Sequence, residues 1–203
     1  VSGVAGPVRL DGEGGGGGGG GGGTGAAAAK GDMCALMGPS GAGKTSLLDI
    51  LAGRKNQGRT TGTVRLNGRA LNPKQRRATS GYVVQEDILP ATLTVIEQLQ
   101  LHAQLRMPSH LPLAIKLNRA HDVAKELGLG SVVGSPIGND MQRGISGGEK
   151  RRGSTAGGLL TRPPVLFLDE PTSGLDSTSA EVVLGSLKRM AELGRTVITV
   201  VHQ

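Results

Sequence analysis

Aromatic residues are almost absent from this 203-residue chain, which contains one tyrosine, one phenylalanine and no tryptophan. A chain of this length is large enough to bury one substantial core. That core must therefore be built from Leu, Val, Ile and Ala. The scarcity of aromatic side chains also disfavours a nucleic-acid surface, because such surfaces commonly stack bases on aromatic rings.

Cysteine is equally scarce, since Cys34 is the only one in the chain. It lies in a short apolar run, which fits a packing residue in a reducing compartment better than a reactive thiol. No apolar stretch approaches the roughly eighteen residues of a membrane span, and no secretory signal is visible. Because the chain begins without Met and stops directly after a predicted strand, we interpret residues 1–203 as a single domain truncated at both ends.

Positive charge exceeds negative charge, and the net charge of +7 includes two basic clusters, KQRR at residues 74–77 and KRR at residues 150–152. We interpret these clusters as solvated faces of the domain. A second interpretation places them near an anionic membrane surface. Nucleic acid is the usual suggestion for a basic protein, but no aromatic residues accompany the clusters, so no nucleic-acid partner is expected.

Glycine is abundant, and residues 14–23 are an unbroken run of it, followed by alanine at residues 26–29. Such a composition cannot bury a core. It predicts a disordered insertion over residues 12–29, placed at the tip of a surface loop because added loop length costs little stability.

A glycine-rich loop between a predicted strand at residues 33–37 and a predicted helix at residues 44–52 gives the strongest functional signal. Residues 38–45 read GPSGAGKT, a pattern in which loop amides and the start of a helix surround a polyphosphate. Lys44 would reach the terminal phosphates and Thr45 would bind Mg²⁺. A glycine-rich turn without a ligand is the alternative. The residues predicted to bind the nucleotide here are Gly38, Pro39, Ser40, Gly41, Ala42, Gly43, Lys44, Thr45 and Ser46.

Two carboxylates follow the apolar run at residues 163–168, which is typical of a parallel strand covered on both faces. Ligands of parallel sheets bind at the carboxyl ends of the strands, so Asp169 and Glu170 would face the phosphates. We predict that Asp169 binds Mg²⁺ and that Glu170 polarises the attacking water. The alternative is that the pair simply ends a strand before the turn at Pro171.

The segment ISGGE at residues 145–149 has two compatible interpretations. Ser146 and Glu149 have the spacing of a capping box that opens a helix. A cap does not explain Gly147 and Gly148, since each glycine in a helix costs about 1 kcal/mol relative to alanine. Glycines at a helix start allow a phosphate to approach the main chain closely. We therefore predict both a cap and a phosphate contact.

Taken together, the phosphate loop, the ISGGE segment and LFLDEPTSGLDS at residues 166–177 resemble the nucleotide-binding domain of ATP-binding-cassette (ABC) proteins. The resemblance covers about residues 31–203. Further segments are similar to the G subfamily, the white/brown type of half-transporter: LLDILAGR at 47–54, LTV at 93–95, LRMP at 105–108, IGND at 137–140, RGISGGE at 143–149 and PTSGLDS at 171–177.

The resemblance implies an α/β fold. Its core would be a P-loop NTPase (RecA-like) unit with a mostly parallel sheet, accompanied by a partial antiparallel β subdomain and by a helical subdomain over residues 88–150 that carries Ser146. Residues 62–71, with a turn at Asn67 and Gly68, fit the antiparallel part. Residues 92–130 read as two helices, the first opened by Thr94 and Glu97 and the second ended by Gly128.

The resemblance also assigns roles to residues that the motifs alone do not explain. Gln85 would bind Mg²⁺ and the attacking water, and His202 would contact the γ-phosphate as a switch histidine. Asp176 would lie in a loop that crosses a dimer interface. The segment Ser146, Gly147, Gly148 and Glu149 would contact the γ-phosphate of ATP bound to a partner domain.

The implied function is ATP hydrolysis that drives export of a hydrophobic substrate by a half-transporter, with ATP and Mg²⁺ as cofactors. Its partners would be a second half-transporter and the protein's own membrane domain, and the cassette would lie on the cytoplasmic face of a membrane. Two alternatives remain: a non-transport cassette acting on nucleic acid or the ribosome, and a regulatory cassette that binds ATP without turnover. Glycines at positions 153, 157 and 158 would weaken the helix after Glu149 by about 3 kcal/mol.

Overall fold

The computed structural model describes residues 8–11, 27, 28, 31–55, 58, 60, 62–85, 89–139 and 141–201. The predictions for His202 and for residues 12–26 and 29 fall outside these ranges. The strands are β1 (Val8–Asp11), β2 (Ala27–Ala28), β3 (Met33–Met37), β4 (Thr63–Leu66), β5 (Arg69–Ala70), β6 (Ser80–Val83), β7 (Val165–Asp169) and β8 (Thr196–Val201). The helices are α1 (Lys44–Ala52), α2 (Pro73–Thr79), α3 (Val95–Arg106), α4 (Leu113–Glu126), α5 (Gly147–Leu159) and α6 (Ser177–Glu192), with a 3₁₀ turn at Gly130–Val132.

The central sheet is parallel and has the strand order β3-β8-β7-β6. Every residue of β7 is buried, as its apolar run without alternation predicts. Its side chains alternate between two clusters: Val165 and Phe167 pack with α1, whereas Leu166 and Leu168 pack with α3 to α6. The sheet is thus covered on both faces, and the predicted α/β fold is confirmed.

A second sheet is antiparallel and has the order β2-β1-β4-β5. Asn67 and Gly68 connect β4 to β5 with φ angles of 54° and 76°, a turn geometry that suits two-residue hairpins. The expectation of disorder over residues 12–29 does not hold at its end, because Ala27 and Ala28 form β2 and pair with Arg9 and Val8. Alanine has a low β propensity, so this short strand depends on its pairing with β1.

The segment 89–139 forms the helical layer, and the predicted caps explain its boundaries. Thr94 opens α3 in a capping box with Glu97, and Gly128, with a φ of 66°, follows α4 where the chain leaves the helix. Helices α3 and α4 share the larger core cluster with α5 and α6. This packing sets the position of α5, which begins beside the carboxyl ends of the strands.

The glycines of α5 bring that helix unusually close to its neighbours. A Cβ added at Gly157 would lie 2.8 Å from Nδ1 of His102 on α3, and one added at Gly158 would lie 3.1 Å from Cγ2 of Val83 on β6. On the strand side, a Cβ added at Gly81 would lie 2.7 Å from the carbonyl oxygen of Gly158. Packing therefore gives Gly157 and Gly158 a role besides their cost in helix propensity. At Gly153 the nearest atom to an added Cβ is Cδ1 of Leu89 at an ordinary 3.8 Å.

Candidate functional site

The predicted phosphate loop lines a cavity of about 290 Å³ at the carboxyl end of β3. The residues around it are Ser40, Gly41, Gly43, Lys44, Thr45, Ser46 and Glu170. A larger cavity of about 460 Å³ is lined by α4 and by residues of segments 107–111 and 160–162, and it contains none of the predicted site residues. The smaller cavity therefore brings the phosphate loop together with Glu170 of the LFLDEPTSGLDS segment.

Local conformation explains why the loop needs glycine. Gly41 and Gly43 have φ angles of 79° and 85°, a left-handed conformation that only glycine adopts without strain. Gly43 is also the N-cap of α1, where no side chain caps the helix. The first amides of a helix have no partner within the helix, so the start of α1 offers N–H donors to an anion.

Lys44 lies over this loop. Its ammonium group donates hydrogen bonds to the carbonyl oxygens of Gly38 at 2.8 Å and Pro39 at 3.0 Å. The amide of Ala42 donates to the same Pro39 carbonyl at 3.3 Å. These bonds hold the positive charge at the mouth of the helix, where it adds to the field of the helix dipole.

Asp169 ends β7 beside Thr45, whose hydroxyl donates a hydrogen bond to Oδ1 of Asp169 at 3.1 Å. The carboxylate is buried, with 4% of the residue exposed. Burial raises the pKa of Asp169 above the ordinary aspartate value, the Thr45 hydrogen bond lowers it, and the charge of Glu170 raises it again. A cation at this point would offset the burial and the repulsion together.

Glu170 is paired with Gln85, whose side-chain amide donates to Oε2 of Glu170 at 2.9 Å. Glu170 has a φ of 47°, an uncommon conformation for a residue with a side chain and one that occurs often at functional sites. The sheet brings this pair together, because β6 and β7 are neighbours and both residues follow the carboxyl ends of their strands.

Arg151 is a site residue that sequence reasoning missed. It belongs to the KRR cluster that we interpreted as a solvated face, but only 2% of it is exposed. Its guanidinium donates to the main chain around Gln85 and Glu170, so the solvated interpretation is wrong for this residue. The sequence did not indicate that Arg151 is buried, because a charged cluster on a helix is usually exposed.

The ISGGE segment forms the predicted cap and lies at the start of α5. The Ser146 amide donates to Oε2 of Glu149 at 2.7 Å, and the Glu149 amide donates to the Ser146 hydroxyl at 3.3 Å. Ser146 and Gly147 are exposed, whereas Gly148 is buried against Ser179 of α6. Gly148 therefore has a packing role in addition to the predicted phosphate contact.

Asp176 caps α6 through a hydrogen bond of 3.0 Å from the Ser179 amide to its carboxylate. Hydrogen bonds from Ser179 hold the pKa of Asp176 below the ordinary aspartate value. Neither Ser146 nor Asp176 lines the cavity at the phosphate loop, so neither belongs to the Lys44 and Glu170 cluster. His202 lies outside the described residues, directly after β8.

Comparison with known proteins identifies the class. A family model described as "ABC transporter" matches residues 25–173. The rat protein "Broad substrate specificity ATP-binding cassette transporter ABCG2" (Rattus norvegicus) is 50% identical over 169 residues, which cover 83% of this chain and 26% of that protein. "ABC transporter G family member 17" of Arabidopsis thaliana is 48% identical over 174 residues, covering 86% of this chain and 26% of that protein.

"ABC transporter G family member 24" of Dictyostelium discoideum is 50% identical over 177 residues, covering 85% of this chain and 15% of that protein. The parallel sheet with its phosphate loop is thus a P-loop nucleotide-binding domain. The chain belongs to the ABC transporter family, and its relatives are G-family members, as the sequence predicts. It spans about a quarter of the length of the rat and Arabidopsis relatives, and none of its described helices is long and apolar enough to cross a membrane.

Proposed function

We propose that the full-length protein is a half-transporter that hydrolyses ATP to drive export of a hydrophobic substrate across a membrane. The observation that carries this proposal is the cavity between the phosphate loop and Glu170, together with the hydrogen bond from Gln85 to Glu170. A polyphosphate site beside a carboxylate that can accept a proton is what nucleotide hydrolysis requires. The word "transporter" in the names of the relatives supports coupling to transport.

In this proposal the loop residues 38–46 bind the phosphates of ATP. The amides of the loop and of the first turn of α1 donate hydrogen bonds to phosphate oxygens. Lys44 contacts the β- and γ-phosphates, exchanging its bonds to the Gly38 and Pro39 carbonyls for bonds to the nucleotide. The loop and the helix dipole thus supply positive potential where ATP is most negative.

Glu170 accepts a proton from the attacking water, and Gln85 orients that water through its amide. The 2.9 Å bond between these two side chains supports their acting on the same molecule. His202, which directly follows β8 in the sequence, contacts the γ-phosphate. Positioned general bases contribute roughly 10²- to 10⁴-fold to such rates.

The oxygen atoms of Thr45, Asp169 and Gln85 suit Mg²⁺, which prefers oxygen ligands and is bound by few protein groups when phosphates complete its shell. The 3.1 Å contact of Thr45 with the buried Asp169 supports this fit. Among the residues that the structure describes, no group of three or more His, Cys, Asp or Glu side chains is placed to hold a metal ion without other ligands. When bound, Mg²⁺ neutralises charge on the β- and γ-phosphates.

The exposed start of α5 serves a second cassette. ATP bound to the phosphate loop of a partner half-transporter would be contacted by this helix start and by Asp176, which belongs to the LFLDEPTSGLDS segment at residues 166–177. The residues of the helix start are Ser146, Gly147, Gly148 and Glu149. The exposure of Ser146 and Gly147 supports this role. The partner, the protein's own membrane domain and a cassette on the cytoplasmic face of the membrane complete the proposal.

The experiment that tests hydrolysis is Glu170→Gln in the full-length protein. We expect turnover to fall by roughly 10²- to 10⁴-fold while ATP still binds, because only the proton acceptor is lost. Steady-state ATPase rates and nucleotide affinity measure the two quantities. Glu181→Gln makes the same chemical change at an exposed position of α6 and should keep the parental rate. A Glu170→Gln variant with parental turnover would remove Glu170 from the mechanism.

A further inference from the structure

Arg151 connects the start of α5 to both strand ends of the candidate site. Its Nε donates to the carbonyl of Pro171 at 3.1 Å. One terminal nitrogen donates to Val84 at 2.9 Å and Gln85 at 2.6 Å. The other donates to Asp169 at 2.9 Å and Glu170 at 2.7 Å. Every N–H direction of the guanidinium thus meets a main-chain oxygen.

Arginine is the only side chain that can make this set of bonds. A guanidinium has five N–H groups in a rigid plane, whereas the lysine ammonium has three on a single atom. The oxygens belong to two segments, 84–85 after β6 and 169–171 at the end of β7. Arg151 therefore fixes the distance between the two segments whose side chains, Gln85 and Glu170, form the predicted water-binding pair.

The conformation of Glu170 depends on the same interaction. Its left-handed φ of 47° is costly for a residue with a Cβ. The Glu170 carbonyl accepts from Arg151 and from the Ser173 amide at 3.1 Å. These two bonds stabilise the turn that directs the Glu170 side chain toward the phosphate loop.

The helix that carries Arg151 also carries Ser146. Lys150 closes the first turn of α5 with a 2.9 Å bond from its amide to the Ser146 carbonyl, and Gly148 packs against Ser179. The start of α5 is thus a rigid unit with an exposed end at Ser146 and a buried anchor at Arg151. A displacement of one end moves the other.

We propose that Arg151 is a positioning residue that links the partner-facing end of α5 to the Gln85 and Glu170 pair of its own site. This inference rests on the proposed function. When Ser146 binds nucleotide held by the partner, the start of α5 is fixed in place, and Arg151 fixes segments 84–85 and 169–171 with it. Each cassette would then hydrolyse its own ATP fastest when its α5 is engaged on the other.

The test uses Arg151→Lys and Arg151→Met in the full-length protein, with Lys150→Met as a matched control for loss of a neighbouring charge. We expect Arg151→Lys to lower kcat about tenfold and Arg151→Met about a hundredfold, the range of a misplaced catalytic group. The KM for ATP should change less than about twofold, because the phosphate loop is untouched. Lys150→Met should keep the parental kcat. A fall in ATP affinity and melting temperature that accounts for the lost activity would overturn the proposal and leave Arg151 as a residue of general stability.

A double variant gives a sharper answer. If Arg151 acts through Gln85, the loss from Arg151→Lys in a Gln85→Ala background should be smaller than in the parent. For the control pair Lys150→Met and Gln85→Ala, the two effects on kcat should multiply. If the fold-reductions in kcat caused by Arg151→Lys and by Gln85→Ala multiply in full in the double variant, that result would contradict a positioning role.

Amide hydrogen exchange separates this inference from the proposed function, since it needs no turnover. Arg151→Lys should increase exchange at the amides of residues 84, 85, 170, 172 and 173 and leave the phosphate loop unchanged. If the parent hydrolyses no ATP, the proposed function fails, while this exchange pattern would still support the link. Unchanged exchange at both segments would overturn the link whatever the ATPase rate.

Discussion

Gly147 and Gly148 occupy the first turn of α5, yet a methyl group would meet different surroundings at the two positions. At Gly147 the nearest atom to an added Cβ is Cδ2 of Leu175 at 3.6 Å, an ordinary contact. At Gly148 the Cβ and Oγ of Ser179 would lie at 2.9 Å and 3.0 Å. Packing therefore requires glycine at position 148 and tolerates an added methyl group at position 147.

This difference predicts opposite effects of the same substitution. Gly148→Ala should lower the free energy of unfolding by about 1–3 kcal/mol, because the methyl group overpacks the contact with α6. Gly147→Ala should be neutral or stabilising by up to about 1 kcal/mol through helix propensity. Denaturant unfolding of each variant measures both. Ser179→Gly should restore part of the loss in Gly148→Ala, and equal stability of the two alanine variants would contradict the packing role.

Among individual residues, those whose positions the sequence could predict have local signals. Lys44, Thr45 and the glycines of the loop are fixed by a strand, a turn and a helix that follow one another in sequence. The burial of Arg151 and the close packing of Gly148 were not predicted, because their partners lie on other elements and such contacts leave no local pattern. The positive φ of Glu170 was invisible for the same reason.

Among the elements, α3 shows how closely a cap predicts a boundary. Thr94 and Glu97 form both bonds of the predicted box, at 3.3 Å and 2.8 Å. The hydrogen bonds from Thr94 hold the pKa of Glu97 below the ordinary glutamate value. The ionised carboxylate is thus preferred in the folded state, and its charge also favours the helix N-terminus.

The lowered pKa of Glu97 gives a pH-dependent prediction. Its stabilising contribution is present above the ordinary glutamate pKa and is lost as the pH falls through the lowered folded value. Glu97→Gln should therefore have a lower melting temperature than the parent at neutral pH, and the difference should disappear in acid. Thermal unfolding across this range checks it, with Glu181→Gln as the control for general loss of negative charge. A difference that grows in acid would have the wrong sign for this cap.

Strand and helix positions were predictable wherever apolar spacing and caps agreed, as in β3, α1, β7 and β8. Helix α2 and strand β2 were not predicted. The first is short and polar, and its N-terminus is set by a capping box between Asn72 and Gln75. The second contains only alanine and depends on pairing with β1, so composition pointed the other way.

In the molecule as a whole, β1 and β2 flank the glycine run and pair with each other. Removing Gly14 to Gly23 would leave residues 12, 13, 24, 25 and 26 between them, a connection of about five residues that suits a β-hairpin. The shortened protein should keep its melting temperature and ATP affinity nearly unchanged. Thermal unfolding and nucleotide titration test this, and a loss of several degrees would show that the run packs against the domain.

If Ser146 contacts ATP on a second cassette, a substitution at Ser146 should block closure of the two cassettes without preventing ATP binding. In a Glu170→Gln background, which should retain ATP, adding Ser146→Arg places a bulky side chain where the partner's γ-phosphate must lie. We expect ATP binding to persist and ATP-driven closure of the two cassettes, followed by cross-linking or a distance probe, to disappear. Ser154→Arg, further along α5, is the control for a new arginine on this helix. Closure as in the parent, or loss of ATP binding by a single cassette, would show that Ser146 does not complete the neighbour's site.

The bonds of Arg151 also have a consequence for how this domain tolerates mutation. The five acceptors of Arg151 among the described residues are main-chain oxygens, and every residue type supplies one. Substitutions at Val84 can therefore preserve the interaction, whereas no other residue at position 151 can make the full set of bonds. In a library containing every single substitution, many residue types at position 84 should keep the protein functional. At position 151 only arginine should keep full function.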